Sequence, residues 1–216
     1  MMEVIREVAA ARTYCAASRR EGATAGFVPT MGALHAGHLS LIGRARREND
    51  RVAVSIFVNP TQYDDPADLE RYPRPFAADL AACEAAGADL VFAPSADELY
   101  PDGYRFRVSE SERSRELEGA HRPGHFDGVL TVVLKLLNII RPQRAYFGEK
   151  DWQQLRLVSD MAAAFFLDTE IVACPTVREA DGLAMSSRNA LLSPAERALA
   201  PTLARVLAGG GTPAAM

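Results

Sequence analysis

The segment Pro29-Thr30-Met31-Gly32-Ala33-Leu34-His35-Ala36-Gly37-His38 sets two histidines around a glycine, between an apolar stretch at residues 23–28 and a helical pattern beginning near Leu39. A strand, a turn and a helix in that order leave the first helical N–H groups without intrahelical partners. They lie at the positive end of the macrodipole, where backbone alone can hold an anion. Gly32 and Gly37 allow a phosphate to approach closely. An imidazole at His35 or His38 can then donate to phosphate oxygens as charge develops on them. An isolated His-x-Gly-His reads more simply as a shaped turn with helix-capping histidines, so the chemistry depends on what else converges there.

Other groups have suitable types and spacing. Gly148-Glu149-Lys150-Asp151 sits where a strand should pass into a helix, with Lys150 able to neutralise phosphate charge. Asp151 can hold a magnesium ion or a ribose hydroxyl, or merely cap the helix. Met185-Ser186-Ser187-Arg188 places two hydroxyls beside a permanently charged guanidinium, which suits a polyphosphate; a serine-rich turn is the plain alternative. Gln62 and Gln154 each follow a strand end closely and can offer amides to a small polar substrate, or stand as surface glutamines. Arg122 and His125, in Arg122-Pro123-Gly124-His125-Phe126, can form an anion site, but the Pro-Gly pair favours a rigid turn. No serine has a histidine and an acid arranged as a triad.

The elements that must position these groups alternate. Apolar runs at 23–28, 51–58 and 89–93 alternate with helical patterns at 39–48 and 76–86, an order that predicts parallel strands with right-handed crossovers. After an excursion, the pattern predicts a short strand at 104–108, an apolar helix at 127–140, a strand at 144–147, a helix at 153–166 and a strand at 169–173. The fold class is α/β, a Rossmann-like doubly wound parallel sheet, in which ligands bind beyond the carboxyl ends of the strands. Polar loops after the strands (Asn59-Pro60-Thr61-Gln62, Gly148 to Asp151, Pro175-Thr176-Val177-Arg178) therefore converge on one edge. Ser193-Pro194-Ala195-Glu196 is a capping box opening a helix to about Ala208, and the glycine run from Gly209 ends regular structure.

Composition narrows the function. The chain has 216 residues, 48% apolar and 24% charged, with net charge −4, so no basic stripe advertises nucleic acid. Arg44, Arg46 and Arg47, followed by Glu48 and Asp50, read as a solvated helix face. Cys15, Cys83 and Cys174 fit neither a disulfide framework nor a zinc site, and burial is the default for each. The first 17 residues lack a signal peptide's apolar core, and no apolar run is long enough to span a bilayer, which implies a cytoplasmic protein without a membrane partner. There is neither GxGxxG nor GxxxxGK[ST], so a nicotinamide enzyme is disfavoured. Two helix-start turns, a lysine, an arginine and two histidines at the mouth of such a sheet suit adenylyl transfer, in which positioning and charge neutralisation around the α-phosphate do the work.

These residues resemble the His-Ile-Gly-His-type nucleotidyltransferases in the form carried by the pantoate–β-alanine ligases. Further matches are Phe57-Val58-Asn59-Pro60-Thr61-Gln62, Tyr72-Pro73-Arg74, Arg122 to Phe126, Phe147 to Asp151, and Gly182-Leu183-Ala184-Met185-Ser186-Ser187-Arg188-Asn189. The resemblance implies that pantoate attacks the α-phosphate of ATP to give pantoyl adenylate and pyrophosphate, after which β-alanine displaces AMP. It implies magnesium with the ATP, no direct protein ligation of metal, and a homodimer. By position, Met31, Gly32, Ala33, Leu34, His35, Ala36, Gly37 and His38 would line the ATP site, with His38 the proton-donating residue. Gly148, Glu149, Lys150 and Asp151 would bind the nucleotide, Lys150 on phosphates and Asp151 on ribose. Val177 would contact adenine, Met185, Ser186, Ser187 and Arg188 would close over the triphosphate, and Gln62 and Gln154 would hold pantoate, Gln62 also placing β-alanine. Tyr63 stands where the family usually has phenylalanine. The implied division is a nucleotide-binding and catalytic domain over 1–176 and the start of a smaller C-terminal lid domain over 177–216, shorter than usual in the family. A lidless nucleotide-binding module and a related ligase acting on another acid are the alternative readings.

Overall fold

The computed structural model describes residues 1–209. In chain order the elements are β1 (Glu3–Ile5), α1 (Val8–Arg20), β2 (Ala25–Thr30), α2 (Ala36–Glu48), β3 (Arg51–Ile56), α3 (Pro66–Arg71), α4 (Phe76–Ala85), β4 (Leu90–Phe92) and α5 (Ala96–Leu99). There follow α6 (Leu117–His121), α7 (His125–Ile140), β5 (Arg144–Gly148), α8 (Trp152–Ala164), β6 (Glu170–Cys174), α9 (Pro194–Leu199) and α10 (Pro201–Ala208). The strands form one sheet in the order β1-β4-β3-β2-β5-β6, every pair parallel. From β2 the chain winds outward through β3 and β4, then crosses back to place β5 on the other side of β2. That reversal opens a crevice beyond the carboxyl ends of β2 and β5.

Residues alternate across the sheet and fill two cores. Phe27, Ala53, Phe92, Ala145 and Phe147 pack under α1, α7 and α8, while Val28, Val54, Val91, Tyr146 and Val172 pack under α2 and α4. α7 is the central helix, with Phe126, Leu130 and Ile140 almost wholly buried. Gly128 lets it cross the 3-10 turn Pro60–Gln62 at close range, because a Cβ there would lie 2.4 Å from the Thr61 carbonyl oxygen.

Several sequence expectations change. The region 104–108 is irregular rather than a strand: Tyr104 has φ of 61°, which turns the chain, and the Val108 N–H donates to the Thr131 hydroxyl instead of to a sheet neighbour. The helix expected from Pro194 to about Ala208 is two helices, because Pro201 supplies no N–H to continue the ladder. Its capping box is present, with Ser193 and Glu196 exchanging bonds. β1 and α1 precede the first expected strand. Arg44 and Arg46 do more than face solvent, since Arg44 donates to the Ala173 carbonyl and Arg46 to Asp89 and the Asn49 carbonyl. The three cysteines are free and buried, as expected. Among the described residues no helix is long and apolar enough to cross a membrane. The glycine run beyond Gly209 lies outside the described residues.

Candidate active site

The turn after β2 is held from several sides. Gly32 (φ 83°) and Ala33 (φ 50°) both take the left-handed conformation, which a non-glycine residue keeps only where its surroundings enforce it. The Gly32 N–H donates to the Thr30 hydroxyl at 3.1 Å. The Ala33 and Leu34 N–H groups donate to the two carboxylate oxygens of Asp79, on α4, at 2.9 and 2.8 Å. α2 then starts at Ala36, three residues earlier than the hydrophobic pattern suggested, so His35 is its N-cap and His38 lies in its first turn.

This geometry fixes the tautomers of both histidines. The His35 Nδ1 accepts from the Gly37 N–H at 3.1 Å, and the His38 Nδ1 accepts from the His35 N–H at 3.3 Å. A ring nitrogen that accepts carries no proton, so each neutral imidazole presents Nε2–H. Burial, with the neighbouring His35 ring 4.1 Å away between centroids, pushes His38 down to about 3; burial and then Lys150 lower His35 also. His38 is therefore a neutral hydrogen-bond donor at pH 7. The anion cradle expected from backbone is narrower than the sequence suggested, because the N–H groups of Ala33, Leu34, His35 and Gly37 already have acceptors.

Two cavities meet at this turn. One, of about 170 Å³, is lined by Met31, His35, Gly37, His38, Gly148, Lys150, Asp151, Gln154, Val177 and residues 185–188. The sequence-selected groups from three separate loops are thus brought together. The second, of about 150 Å³, has apolar walls from Phe57, Val129, Val132, Val133 and Leu136, with Gln62, Gln154 and Asn59 as its amides. His38, Asp151 and Gln154 line both. Gly32, Ala33, Leu34, Ala36 and Glu149 do not line the first cavity; the first four shape the turn, and Glu149 faces a groove beside α10.

The charged groups have partners. Lys150 Nζ donates to Asp151 at 2.8 Å, and Asp151, though it stands at the N-cap position of α8, makes no side-chain capping bond to the helix. Arg188 makes two bonds to Asp68, at 3.1 and 2.7 Å, and lies over the Tyr72 ring. This pairing raises Arg188 and holds the Asp68 carboxyl below its ordinary value. The Ser187 hydroxyl donates to the Ala33 carbonyl at 3.0 Å, while Ser186 accepts from the Arg188 N–H. Among the described residues no three carboxylate, imidazole or thiol groups cluster as a metal site.

Sequence reasoning missed the supports. Asn59, buried, accepts from Thr61 and the Tyr100 hydroxyl and donates to Gln62 Oε1 at 3.0 Å, which turns the Gln62 amide N–H₂ toward Met31. Its signal was the Asn-Pro pair, a cap with proline at the first helical position. Asp79 showed itself only as one of two acids, with Glu84, on an otherwise apolar helix. Arg122 and His125 form the rigid turn rather than an anion site: Arg122 pairs with Asp64 and Glu118, and His125 Nδ1 bonds the Gln62 carbonyl oxygen at 2.7 Å.

The family described as Pantoate-beta-alanine ligase matches residues 3–213. The chain belongs to that family. It is 57% identical over 196 residues to a pantothenate synthetase of Bdellovibrio bacteriovorus, a match covering 91% of this chain and 78% of that protein. Against a pantothenate synthetase of Cereibacter sphaeroides it is 56% identical, covering 96% of this chain and 74% of the relative. Among solved structures, pantothenate synthetase from Thermus thermophilus superposes with a TM-score of 0.89 at 50% identity, covering 99% of this chain and 78% of that one. A Francisella tularensis pantoate-beta-alanine ligase, complexed with beta-gamma ATP and beta-alanine, gives 0.92 at 43% identity, covering 96% and 80%. The Rossmann-like fold expected of a pantoate–β-alanine ligase is therefore the fold of this chain.

Proposed function

We propose that the paired cavities are the adenylylating site of a chain whose activity is ATP-dependent ligation of pantoate and β-alanine. The observation that carries this reading is that His38 lines both cavities, so a nucleotide in one and an acid in the other would meet at its ring. The triphosphate lies along His35, His38, Lys150, Ser186, Ser187 and Arg188, with Asp151 on the ribose and Val177 against adenine. Pantoate sits in the second cavity, its dimethyl carbon against Val129, Val132 and Val133 and its polar groups on Gln62 and Gln154. A pantoate carboxylate oxygen attacks the α-phosphorus and pyrophosphate leaves; the β-alanine amine then attacks the acyl carbon and AMP leaves. Gln62 also helps to place β-alanine.

The chemistry asks little covalent participation of the protein. A carboxylate becomes an acylating agent once its oxygen is part of a good leaving group, and adenylation achieves this. Nε2–H of His35 and His38, with the Lys150 and Arg188 cations, stabilise charge on the phosphates without reorganising at the moment of reaction. Arg188 exchanges its Asp68 partner for phosphate oxygens. Asp151, the one carboxylate that lines both cavities among the described residues, would be the side chain at hand for a magnesium ion brought with the triphosphate, and the ion would supply charge neutralisation there.

We also infer from the family resemblance a homodimer working in the cytoplasm, and a division after residue 176. In support of the division, α9 and α10 bury only Pro201, leaving Leu199, Leu203 and Leu207 exposed. The test of the function is ATP–pyrophosphate isotope exchange with pantoate and without β-alanine. Exchange that depends on pantoate supports an adenylate intermediate; exchange absent with pantoate but present with another acid contradicts the substrate assignment.

A further inference from the structure

We propose that Asp79 is a positioning residue for adenylyl transfer, holding the residue 32–34 turn in a strained form that both aims the histidines and seats the Ser186–Ser187–Arg188 segment. The inference rests on the site reading above. Asp79 is 2% exposed and comes from α4, yet both of its oxygens serve a different element, the Ala33 and Leu34 N–H groups. Its side chain forms no ion pair among the described residues. A carboxylate fits this place because it offers two acceptors to two donors that point the same way, and a charged acceptor bonds each more strongly than an amide would.

The turn needs such a hold. Ala33 carries φ of 50°, and Gly32 is packed so closely that a Cβ on it would lie 2.8 Å from Asp79 Oδ2. Released from Asp79, Ala33 would relax toward negative φ and carry its carbonyl with it. That carbonyl accepts the Ser187 hydroxyl, and the Gly32 carbonyl accepts the Tyr72 hydroxyl at 3.5 Å. Ala33 is thus a peptide gripped on its N–H by the sheet domain and on its C=O by the segment that closes over the triphosphate. Two residues further on, His35 caps α2 and its N–H fixes the His38 tautomer, so a shift of the turn reaches both imidazoles. Asp79 does not line the nucleotide cavity, so its effect passes through the turn.

The experiment is pantoate-dependent ATP–pyrophosphate exchange on wild type, Asp79→Asn and the double variant Asp79→Asn/Ala33→Gly, with KM measured separately for ATP and pantoate. Losing one charged hydrogen bond and turning an amide donor on the turn raises KM for ATP about tenfold to a hundredfold, with KM for pantoate within about twofold of wild type. Glycine adopts the left-handed form freely, so Ala33→Gly restores part of the ATP affinity, which a general loss of packing would not allow. Gly32→Ala, read in place of Asp79→Asn where the latter does not fold, pushes on the same carboxylate and gives the same loss on the ATP side. KM for ATP unchanged in Asp79→Asn or Gly32→Ala overturns the proposal, as does a loss that Ala33→Gly leaves untouched. Wild type without exchange instead contradicts the adenylylation reading, and the same ordering of variants is then read from ATP dissociation constants by calorimetry.

Discussion

Gly128→Ala separates the two cavities by displacing one of them. In an ordinary helix interior the change would stabilise the protein by about 1 kcal/mol through propensity. Here the new Cβ would lie 2.4 Å from the Thr61 carbonyl oxygen, 2.6 Å from the Thr61 carbonyl carbon and 2.7 Å from the Gln62 Cα. All three are backbone atoms, so no rotamer change relieves the contact. Reaching an ordinary C···O separation of about 3.3 Å requires the Pro60–Gln62 turn and α7 to part by about 1 Å. Overpacking of this kind costs about 1–3 kcal/mol, which outweighs the propensity gain over most of that range. The parting also pulls on the bonds from Asn59 to the Gly128 carbonyl and from His125 Nδ1 to the Gln62 carbonyl. A misplacement of about 1 Å at a substrate-holding group costs about a hundredfold in rate. Steady-state kinetics with pantoate varied at saturating ATP should therefore show kcat/KM down by about that factor. The ATP dissociation constant, read by calorimetry, should stay within about twofold, since the turn does not line the nucleotide cavity. Unchanged kcat/KM for pantoate would refute the placement of pantoate beside Gln62, and an equal loss of ATP affinity would refute the separation of the two cavities.

Other consequences are as direct. With His38 held near 3 in the folded chain against an ordinary 6.5, the unfolded state takes up a proton first as pH falls. Stability is thus full above about 6.5 and is lost as pH falls toward 3, and His38→Gln should flatten the dependence of Tm on pH across that window. Asp68→Asn frees Arg188 for phosphate, so KM for ATP should fall a few-fold, the modest size expected of a partly exposed pair; a rise would show that the pair instead orders the site. Burial pushes the Cys15 thiol up to about 11 and Cys83 up to about 12, so neither should react with a thiol reagent at pH 8 until denaturant unfolds the chain.

The central sheet was legible because buried parallel strands are near-continuous apolar runs, and 51–56, 90–92, 144–148 and 170–174 all carry that signature. β1 was not, since it is three residues at the sheet edge with Glu3 and Val4 exposed, and only its register with β4 defines it. Tyr104 to Val108 misled in the opposite sense: the side chains are strand-like, but the left-handed Tyr104 turns the backbone away. Pro201 was a visible helix breaker overridden by the strong start signal at Ser193. At the site, the side chains that line the two cavities were legible from residue type and from their place in the loops that follow strand ends. Asp79 and Asn59 were not. Their partners are backbone groups brought near only by folding: Asp79 bonds the turn 45 and 46 residues before it, and Asn59 reaches Gly128 69 residues on.

The role proposed for neutral His38, in the wall shared by the two cavities, is to support formation of the adenylate. Single-turnover quench of enzyme with Mg-ATP and pantoate, without β-alanine, measures that step as pyrophosphate formed. His38→Ala should slow it by about a hundredfold or more, in keeping with loss of a preorganised donor to the phosphates, while ATP binding changes only a few-fold. Pyrophosphate formed by His38→Ala at the wild-type rate, with ATP bound equally well, would show that the His38 ring plays no part in that step.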